Sequence, residues 1–326
     1  GWWRPFVWGI RGFSRGARQT MTQTAAPAAT RGPMSLKDWA RLLLLGALWG
    51  GSFFFARIAV MELHPLALVL LRVAIAAAAL HLWLALRGPS FRAAMAHAPM
   101  FFLLALTNNV IPFSLIFTGQ TELGAGLAAV LNSTTPFWTL VLANILTDDE
   151  KLSWNKLAGI ALGIAGTAAM IGPGLAAGIG GPVWPKFALV GAALSYALAL
   201  MVARRFSDVP PPVIATGQLT AATIIMVPVV LLAHGPAALF AASAPVWAAV
   251  LALALASTAF GYILFFKLVA SAGATNTSLV TLVAPASALL LGFAFLGERL
   301  ERFELAGMAL IALGLLTIDG RILRRR

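Results

Sequence analysis

Residues 124–166 read GAGLAAVLNSTTPFWTLVLANILTDDEKLSWNKLAGIALGIAG, and residues 273–314 read GATNTSLVTLVAPASALLLGFAFLGERLERFELAGMALIALG. Each stretch opens with Gly-Ala and has a proline twelve residues on, Pro136 and Pro285. Each apolar run then ends in Glu, a basic residue and Leu, and the next run begins with Leu-Ala-Gly. Apolar segments whose punctuation recurs in this order are typical of transport proteins built from two structural repeats.

The composition places the chain in a lipid bilayer. Of its 326 residues, 60% are hydrophobic and 10% are charged, whereas soluble domains carry about 25% charged residues. The chain has no cysteine, which excludes disulfides and thiolate metal sites, and its four histidines show no metal-binding spacing. We therefore expect no metal and no cofactor.

Ten apolar runs have the length, about 17 to 25 residues, that crosses a hydrocarbon core. The sequence thus predicts an all-α integral membrane protein with ten transmembrane helices, arranged as two inverted five-helix repeats around a central cavity. The predicted repeats are residues 39–172 and 186–319, joined by a Gly/Pro-rich connector at 173–185. The predicted spans are 40–60, 66–87, 98–119, 124–146, 155–172, 186–204, 213–233, 246–268, 274–296 and 303–319.

The distribution of Lys and Arg predicts the orientation. With the N-terminus in the cytoplasm, eighteen basic residues lie inside, whereas Lys186, Arg299 and Arg302 lie outside. Five spans per half then insert the two halves with opposite topology, which makes the repeat an inverted one. We expect a multi-pass protein of the bacterial inner membrane with both termini cytoplasmic.

The basic residues concentrate at the chain ends and in short loops, so topology explains them better than nucleic-acid binding. We expect residues 1–38 to form a disordered basic arm; the alternative is an interfacial segment that binds anionic lipid. Residues 320–326 form a basic C-terminal tail. The expected partners are the bilayer and a small-molecule substrate, and we expect a monomer.

Proline within a span frees a backbone carbonyl and kinks the helix, so we expect kinks at Pro136 and Pro285. A bilayer tolerates such defects where protein or a wet cavity satisfies them. Two interpretations of the polar residues near Pro136 stay open: they bond within and between helices, or at least two of them line a cavity. These residues are Asn132, Ser133, Thr134, Thr135 and Trp138.

Arg72 lies seven residues after Pro65 on the second span, as Gln218 lies seven residues after Pro211 on the seventh. An Arg within the membrane costs about 2.5 to 3.5 kcal/mol on insertion scales and so needs a partner or a wet cavity. Arg72 could be a counter-charge to a substrate carboxylate or an inter-helix latch; alternatively, it snorkels to the outer surface. No Asp or Glu lies deep in any span.

Other candidates come from the repeat offset of 149 residues, which aligns Asn108 and Asn109 with Ser257 and Thr258. Small or polar neighbours also single out Trp49, Tyr196 and Tyr262 among the many aromatic residues. The sequence shows no catalytic triad, P-loop or His-Glu-x-x-His motif, and neither the charged ring nor the repeated carbonyl loop of a selectivity filter. A carrier is therefore favoured over a membrane enzyme or a channel.

The chain from about residue 40 to residue 319 resembles the EamA family of the drug/metabolite transporter superfamily. The resemblance rests on Trp49-Gly50 with Phe53-Phe54, on Pro65 with Arg72, and on the paired Pro and Glu-basic-Leu elements. It implies ten helices in two inverted halves, with spans five and ten outside the cavity. It also implies export of small metabolites by alternating access, with exporters of amino acids, including aromatic ones, the most similar. Asp148-Asp149 departs from the second copy, so the match of the inside loop is open.

If the solute is an apolar amino acid, its three parts need different partners. Arg72, or Asn108 with Asn109, would bind the carboxylate. Asn132, Ser133 and the carbonyls freed by the prolines would bind the ammonium. Trp138, Tyr196 and Tyr262 would hold the side chain. Export of drugs, nucleosides or organic cations remains the alternative. The candidate site is Trp49, Arg72, Asn108, Asn109, Asn132, Ser133, Trp138, Tyr196, Gln218 and Tyr262.

Overall fold

A computed structural model describes residues 34–146, 153–177, 181–240 and 242–319, and this part of the chain contains helices and no strand. The predicted basic arm before residue 34, the Glu150-Lys151-Leu152 element and the predicted tail at 320–326 lie outside the described residues. The prediction of an all-helical membrane protein is confirmed in this coarse form.

Within the described ranges, a helical segment lies at the position of each predicted span, with bounds within about six residues of the prediction. These segments are α1 Leu36–Ala59, α2 Pro65–Arg87, α3 Met95–Gly119, α4 Ala125–Leu146, α5 Trp154–Ala177, α6 Trp184–Ala203, α7 Pro211–His234, α8 Ala244–Ala272, α9 Val280–Leu296 and α10 Arg302–Asp319.

Among the described residues, eight of these helices, α1 to α8, are long and apolar enough to cross a membrane. Helix α9 is apolar but shorter, because the predicted ninth span is divided between a one-turn helix, Ala274–Thr277, and Val280–Leu296. Helix α10 has 18 residues and carries Arg302, Glu304 and Asp319 near its ends. Large apolar side chains such as Leu82 and Phe295 are exposed on the outside of the helices, where lipid rather than water can accept them.

Helices α3 and α8 each contain a π-helical segment, Leu106–Val110 and Ala252–Phe260. The two segments hold the residue pairs that the repeat offset aligns, Asn108-Asn109 and Ser257-Thr258. Because a π-helical turn widens the backbone and re-aims its side chains, such segments occur frequently at functional sites.

The two predicted proline kinks have different surroundings. Helix α4 is interrupted at residues 133–134, within the turn that precedes Pro136, which fits the loss of a backbone donor and the ring's clash with the preceding turn. Pro285 lies inside the continuous helix α9, and the interruption comes earlier, at residues 278–279. The kink at Pro285 therefore stays a prediction.

Glycines bring helices α5 and α10 into backbone contact. A Cβ atom on Gly166 would lie 2.6 Å from the carbonyl oxygen of Gly307, and one on Gly159 would lie 2.8 Å from that of Gly314. Close approach of this kind is the expected use of small residues in membrane helices. These glycines therefore act as packing residues between α5 and α10.

Candidate functional site

A cavity of about 430 Å³ lies among α1 to α4 and α6 to α9. None of the described residues of α5 or α10 lines it. At one end the lining includes Gln120, directly after α3; at the other it includes Ala203 and Pro211, where α6 ends and α7 begins. Most of the wall is apolar, so its few polar groups are the parts that can orient a solute.

Arg72 lines the cavity and is 8% exposed. Its Nε donates a hydrogen bond to Thr258 Oγ1 at 3.0 Å, and its Cζ lies 3.8 Å from the centroid of the Phe113 ring. The ion pairs within the described residues join Arg41 to Asp38 and Lys186 to Glu304. Arg72 thus faces the cavity as a buried cation without a carboxylate partner in the described part of the chain.

Three side chains from three helices form a polar cluster on the cavity wall. The Asn108 amide donates to Gln218 Oε1 at 2.8 Å and lies 3.3 Å from the Tyr262 hydroxyl. The Gln218 amide also lies 3.3 Å from that hydroxyl. Each half of the chain therefore contributes a polar group of its second helix to a π-helical segment of the other half: Gln218 to Asn108, and Arg72 to Thr258.

The remaining predicted residues divide into those that line the cavity and two that do not. Asn132 and Ser133 line it at the interruption of α4. Ser133 Oγ donates to the Val130 carbonyl, whereas Asn132 Oδ1 is buried without a hydrogen-bond partner among the described residues. The other lining residues from the prediction are Trp49, Tyr196, Pro136 and Pro285.

Asn109 and Trp138 are absent from the lining. Asn109 is fully buried beside Tyr262, behind the wall. Trp138 lies on the α5 side of α4, where it shares a small void with Ile160 and Gly163, and its Nε1 donates to Thr134 Oγ1. Polar neighbours in the sequence did not reveal which way Trp138 points.

Sequence reasoning missed several lining residues. Ser257 and Thr258 could have been included, because the repeat offset pairs them with Asn108 and Asn109. Phe265, whose ring centroid is 5.4 Å from that of Trp49, was one phenylalanine among many. Gln120 gave no signal, because it stands at the end of a span, where polar residues are ordinary.

The Glu298 end of the bundle, which the orientation rule places outside, is held together by contacts between the halves. The Glu298 carboxylate accepts hydrogen bonds from the backbone amides of Ala125 and Gly126, the first residues of α4, at 2.7 and 3.1 Å. Gly124 and Gly292 leave room for it, since a Cβ on either would lie within 2.6 Å of a Glu298 side-chain atom. A carboxylate suits this position because a helix N-terminus carries free donors and a partial positive charge.

The Glu62 carboxylate makes a second contact at this end. It accepts from the backbone amide and the hydroxyl of Ser243, which precedes α8. These hydrogen bonds lower the pKa of Glu62.

No group of three or more potential metal ligands occurs in the described ranges.

Sequence comparisons match this chain to a transporter family and to proteins named as exporters or transporters. A profile of the EamA-like transporter family matches residues 39–172 and again residues 183–318. A probable terminal-alkyne amino-acid exporter of Streptantibioticus cattleyicolor is 27% identical over 301 residues, covering 90% of this chain and 96% of that protein. A probable amino-acid metabolite efflux pump of Salmonella typhimurium is 27% identical over 297 residues, covering 86% of this chain and 94% of that one.

Two further matches extend the comparison. The uncharacterized inner membrane transporter YedA of Escherichia coli is 26% identical over 287 residues, covering 85% of this chain and 89% of that protein. A solved crystal structure superposes with a TM-score of 0.62 at 20% identity, covering 89% of this chain and 98% of that chain. The superposition shows a shared fold.

Proposed function

The chain belongs to the EamA-like transporter family, and from that premise we propose that it exports amino acids, those with large apolar side chains foremost, across the bacterial inner membrane. Relatives named as exporters of amino acids or their metabolites support this assignment. The proposed mechanism is that of a secondary carrier with ten spans in two inverted repeats and both termini cytoplasmic.

Arg72 carries the proposal. A buried guanidinium without a carboxylate partner in the described residues is costly in a membrane, and an anionic group on the solute would offset that cost through a charge-assisted pair. An organic cation would meet repulsion at the same place, and no Asp or Glu occurs among the residues that line the cavity. The site therefore favours a solute with a carboxylate over a cationic drug.

The apolar wall supports a solute with a hydrophobic body. Trp49 and Phe265 lie side by side on α1 and α8, and Tyr262 is stacked on Phe266 at 6.0 Å between ring centroids. Aromatic rings bury a large area and also attract a cation over their faces, by about 0.5 to 2 kcal/mol. An apolar or aromatic amino acid combines the carboxylate and the hydrophobic body that this lining can bind.

Alternating access requires one end of the cavity to be closed while the other is open. The contacts of Glu298 with the start of α4 join the halves at the predicted outer end. The lining extends in the opposite direction to Ala203 and Pro211, at the predicted cytoplasmic ends of α6 and α7. This arrangement supports an inward-facing state of a carrier that loads its solute from the cytoplasm.

Counterflow in proteoliposomes tests the proposal. Vesicles with purified protein are preloaded with unlabelled phenylalanine, and entry of labelled phenylalanine is followed; protein-free vesicles are the control. A carrier gives saturable entry with a transient overshoot. Unsaturable flux without overshoot would indicate a channel, and chemical conversion of the solute would indicate an enzyme; either result would contradict the proposal.

A further inference from the structure

Gln120 lies at the edge of the cavity with a free acceptor. It follows the last residue of α3, its side chain is 0% exposed, and it belongs to the cavity lining. Its Oε1 has no hydrogen-bond partner among the described residues. A buried carbonyl oxygen without a donor costs free energy, and a donor on a molecule in the cavity would offset that cost.

The orientation of the Gln120 amide follows from its other hydrogen bond. The Nε2 atom donates to the backbone carbonyl of Phe53 at 2.8 Å. A backbone carbonyl can only accept, so the nitrogen must face Phe53 and the oxygen must face away from it. The free group of Gln120 is therefore an acceptor.

The backbone of Gln120 is also held in place. Its amide donates to the Ile116 carbonyl at 2.8 Å, and its carbonyl accepts from Arg57 Nη1. The same Arg57 nitrogen donates to the Thr121 carbonyl at 2.9 Å. A side chain fixed at both its backbone and its amide nitrogen presents the oxygen with little loss of conformational freedom on binding.

Arg72 and Gln120 lie at successive levels along one face of α3. Phe113, Phe117 and Gln120 share one face of α3, and Cζ of Arg72 lies 3.8 Å from the Phe113 centroid and 5.7 Å from the Phe117 centroid. Gln120 comes three residues after Phe117, about 4.5 Å farther along the axis. The wall thus presents a cation and, farther toward the predicted outside, an acceptor.

We propose that Gln120 Oε1 accepts a hydrogen bond from the α-ammonium of the solute and so selects amino acids over carboxylates that lack the amine. The inference rests on the proposed function and deepens it. Asn132, whose Oδ1 is also buried and unpaired, lines the same cavity from α4 and would supply a second acceptor for the three ammonium protons. Two amide oxygens, rather than a carboxylate, would then bind the ammonium.

Selectivity between two solutes tests this assignment. Half-saturating concentrations for counterflow are measured with phenylalanine and with 3-phenylpropionate, which keeps the carboxylate and ring and lacks the amine. A hydrogen bond between charged and neutral groups predicts that wild type prefers phenylalanine by about 10- to 100-fold. Gln120→Met, which removes the acceptor at similar length, should lose most of this preference.

Gln120→Glu separates recognition from structure. Both variants lose the bond to Phe53, but Glu restores an oxygen acceptor and adds a charge that attracts ammonium, so its preference for phenylalanine should equal or exceed that of wild type. A preference that falls equally in Met and Glu variants, or that stays at the wild-type value in both, would overturn the assignment.

Measurements on the wild-type protein alone distinguish a failure of the Gln120 assignment from a failure of the proposed function. Transport of both solutes with equal half-saturating concentrations would overturn the role of Gln120 alone. Transport of neither solute would overturn the proposed function, and this inference with it.

Discussion

The Nε atom of Arg72 lies 3.0 Å from the Oγ1 atom of Thr258, a residue of the other half of the chain. The Thr258 hydroxyl uses its own hydrogen to donate to the Leu253 carbonyl at 2.8 Å, which leaves a lone pair for Arg72. The π-helical segment of α8 makes this possible, because the acceptor is five residues earlier in the chain. Thr258 therefore fixes the direction of the buried guanidinium.

Thr258→Val keeps the shape of the side chain and removes the acceptor. We expect the free energy of unfolding to fall by about 1 to 3 kcal/mol, since a buried charged donor loses its hydrogen-bond acceptor. We also expect a higher half-saturating concentration for phenylalanine. Thr223→Val is the matched control, because the hydrogen bond of the Thr223 hydroxyl within the described ranges is to the Leu219 carbonyl of its own helix. Equal melting temperatures and transport constants for the two variants would contradict the role given to Thr258.

The two tryptophans of the sequence prediction should behave differently. Trp49→Ala removes a ring from the cavity wall, and we expect the half-saturating concentration for phenylalanine to rise at least about tenfold, the equivalent of 1.4 kcal/mol of lost contact. Trp138→Ala, on the α5 side of α4, should lower the melting temperature and leave the half-saturating concentration near the wild-type value. If Trp138→Ala alone raised the half-saturating concentration, the solute would bind on the α5 side of α4, which would contradict the binding wall described above.

Glu298→Gln weakens the contact between the halves at the predicted outer end, because the charge at the start of α4 is lost. Capping by a carboxylate contributes about 0.5 to 2 kcal/mol, so the outward-open population should rise several-fold. The chain has no cysteine, so Ser52→Cys in the cavity wall can report this change through its labelling rate with an impermeant maleimide added outside. The exposed Glu122→Gln is the control, and identical labelling rates for the two variants would exclude a gating role for Glu298.

His64 predicts a pH dependence of stability. Its Nδ1 accepts from the Leu66 amide at the start of α2, and its ring lies 3.7 Å from that of His234. Partial desolvation of the ring, and then the neighbouring His234, lower its pKa from the ordinary value of 6.5. The unfolded chain consequently binds the proton more readily, and stability should fall as the pH drops below about 6.5.

His64→Asn tests that pH dependence, since Asn also caps a helix but does not titrate. Melting temperatures measured from pH 8 to pH 5 should fall less steeply for the variant than for wild type. Parallel curves would show that the acid sensitivity arises elsewhere.

Much of the helical arrangement could be predicted because a bilayer imposes strict lengths. Apolar runs of sufficient length, bounded by charged residues or glycines, predicted where α1 to α8 lie along the chain. The match to the EamA-like family confirms the resemblance inferred from the paired Pro and Glu-basic-Leu elements. The length of α9 was wrong, because the polar stretch from Thr275 to Ser278 was read as part of a continuous span.

The sequence repeat marked some of the residues that line the cavity. Arg72 and Gln218 occupy equivalent places on α2 and α7, and both line the cavity. Trp138 could not be placed, because a helix that is apolar on all sides does not reveal which face turns inward. Gln120 could not be recognised, since its importance depends on Phe53 and Arg57, residues more than sixty positions away.

Counterflow with Arg72→Met tests the central claim most directly, because that claim assigns the carboxylate of the solute to the buried guanidinium. Half-saturating concentrations are compared for phenylalanine and for phenethylamine, which lacks the carboxylate, with the exposed Arg92→Gln as control. We predict that Arg72→Met raises the constant for phenylalanine by about 10- to 100-fold and does not raise the constant for phenethylamine. A folded Arg72→Met variant that carries phenylalanine with the wild-type constant would contradict the account.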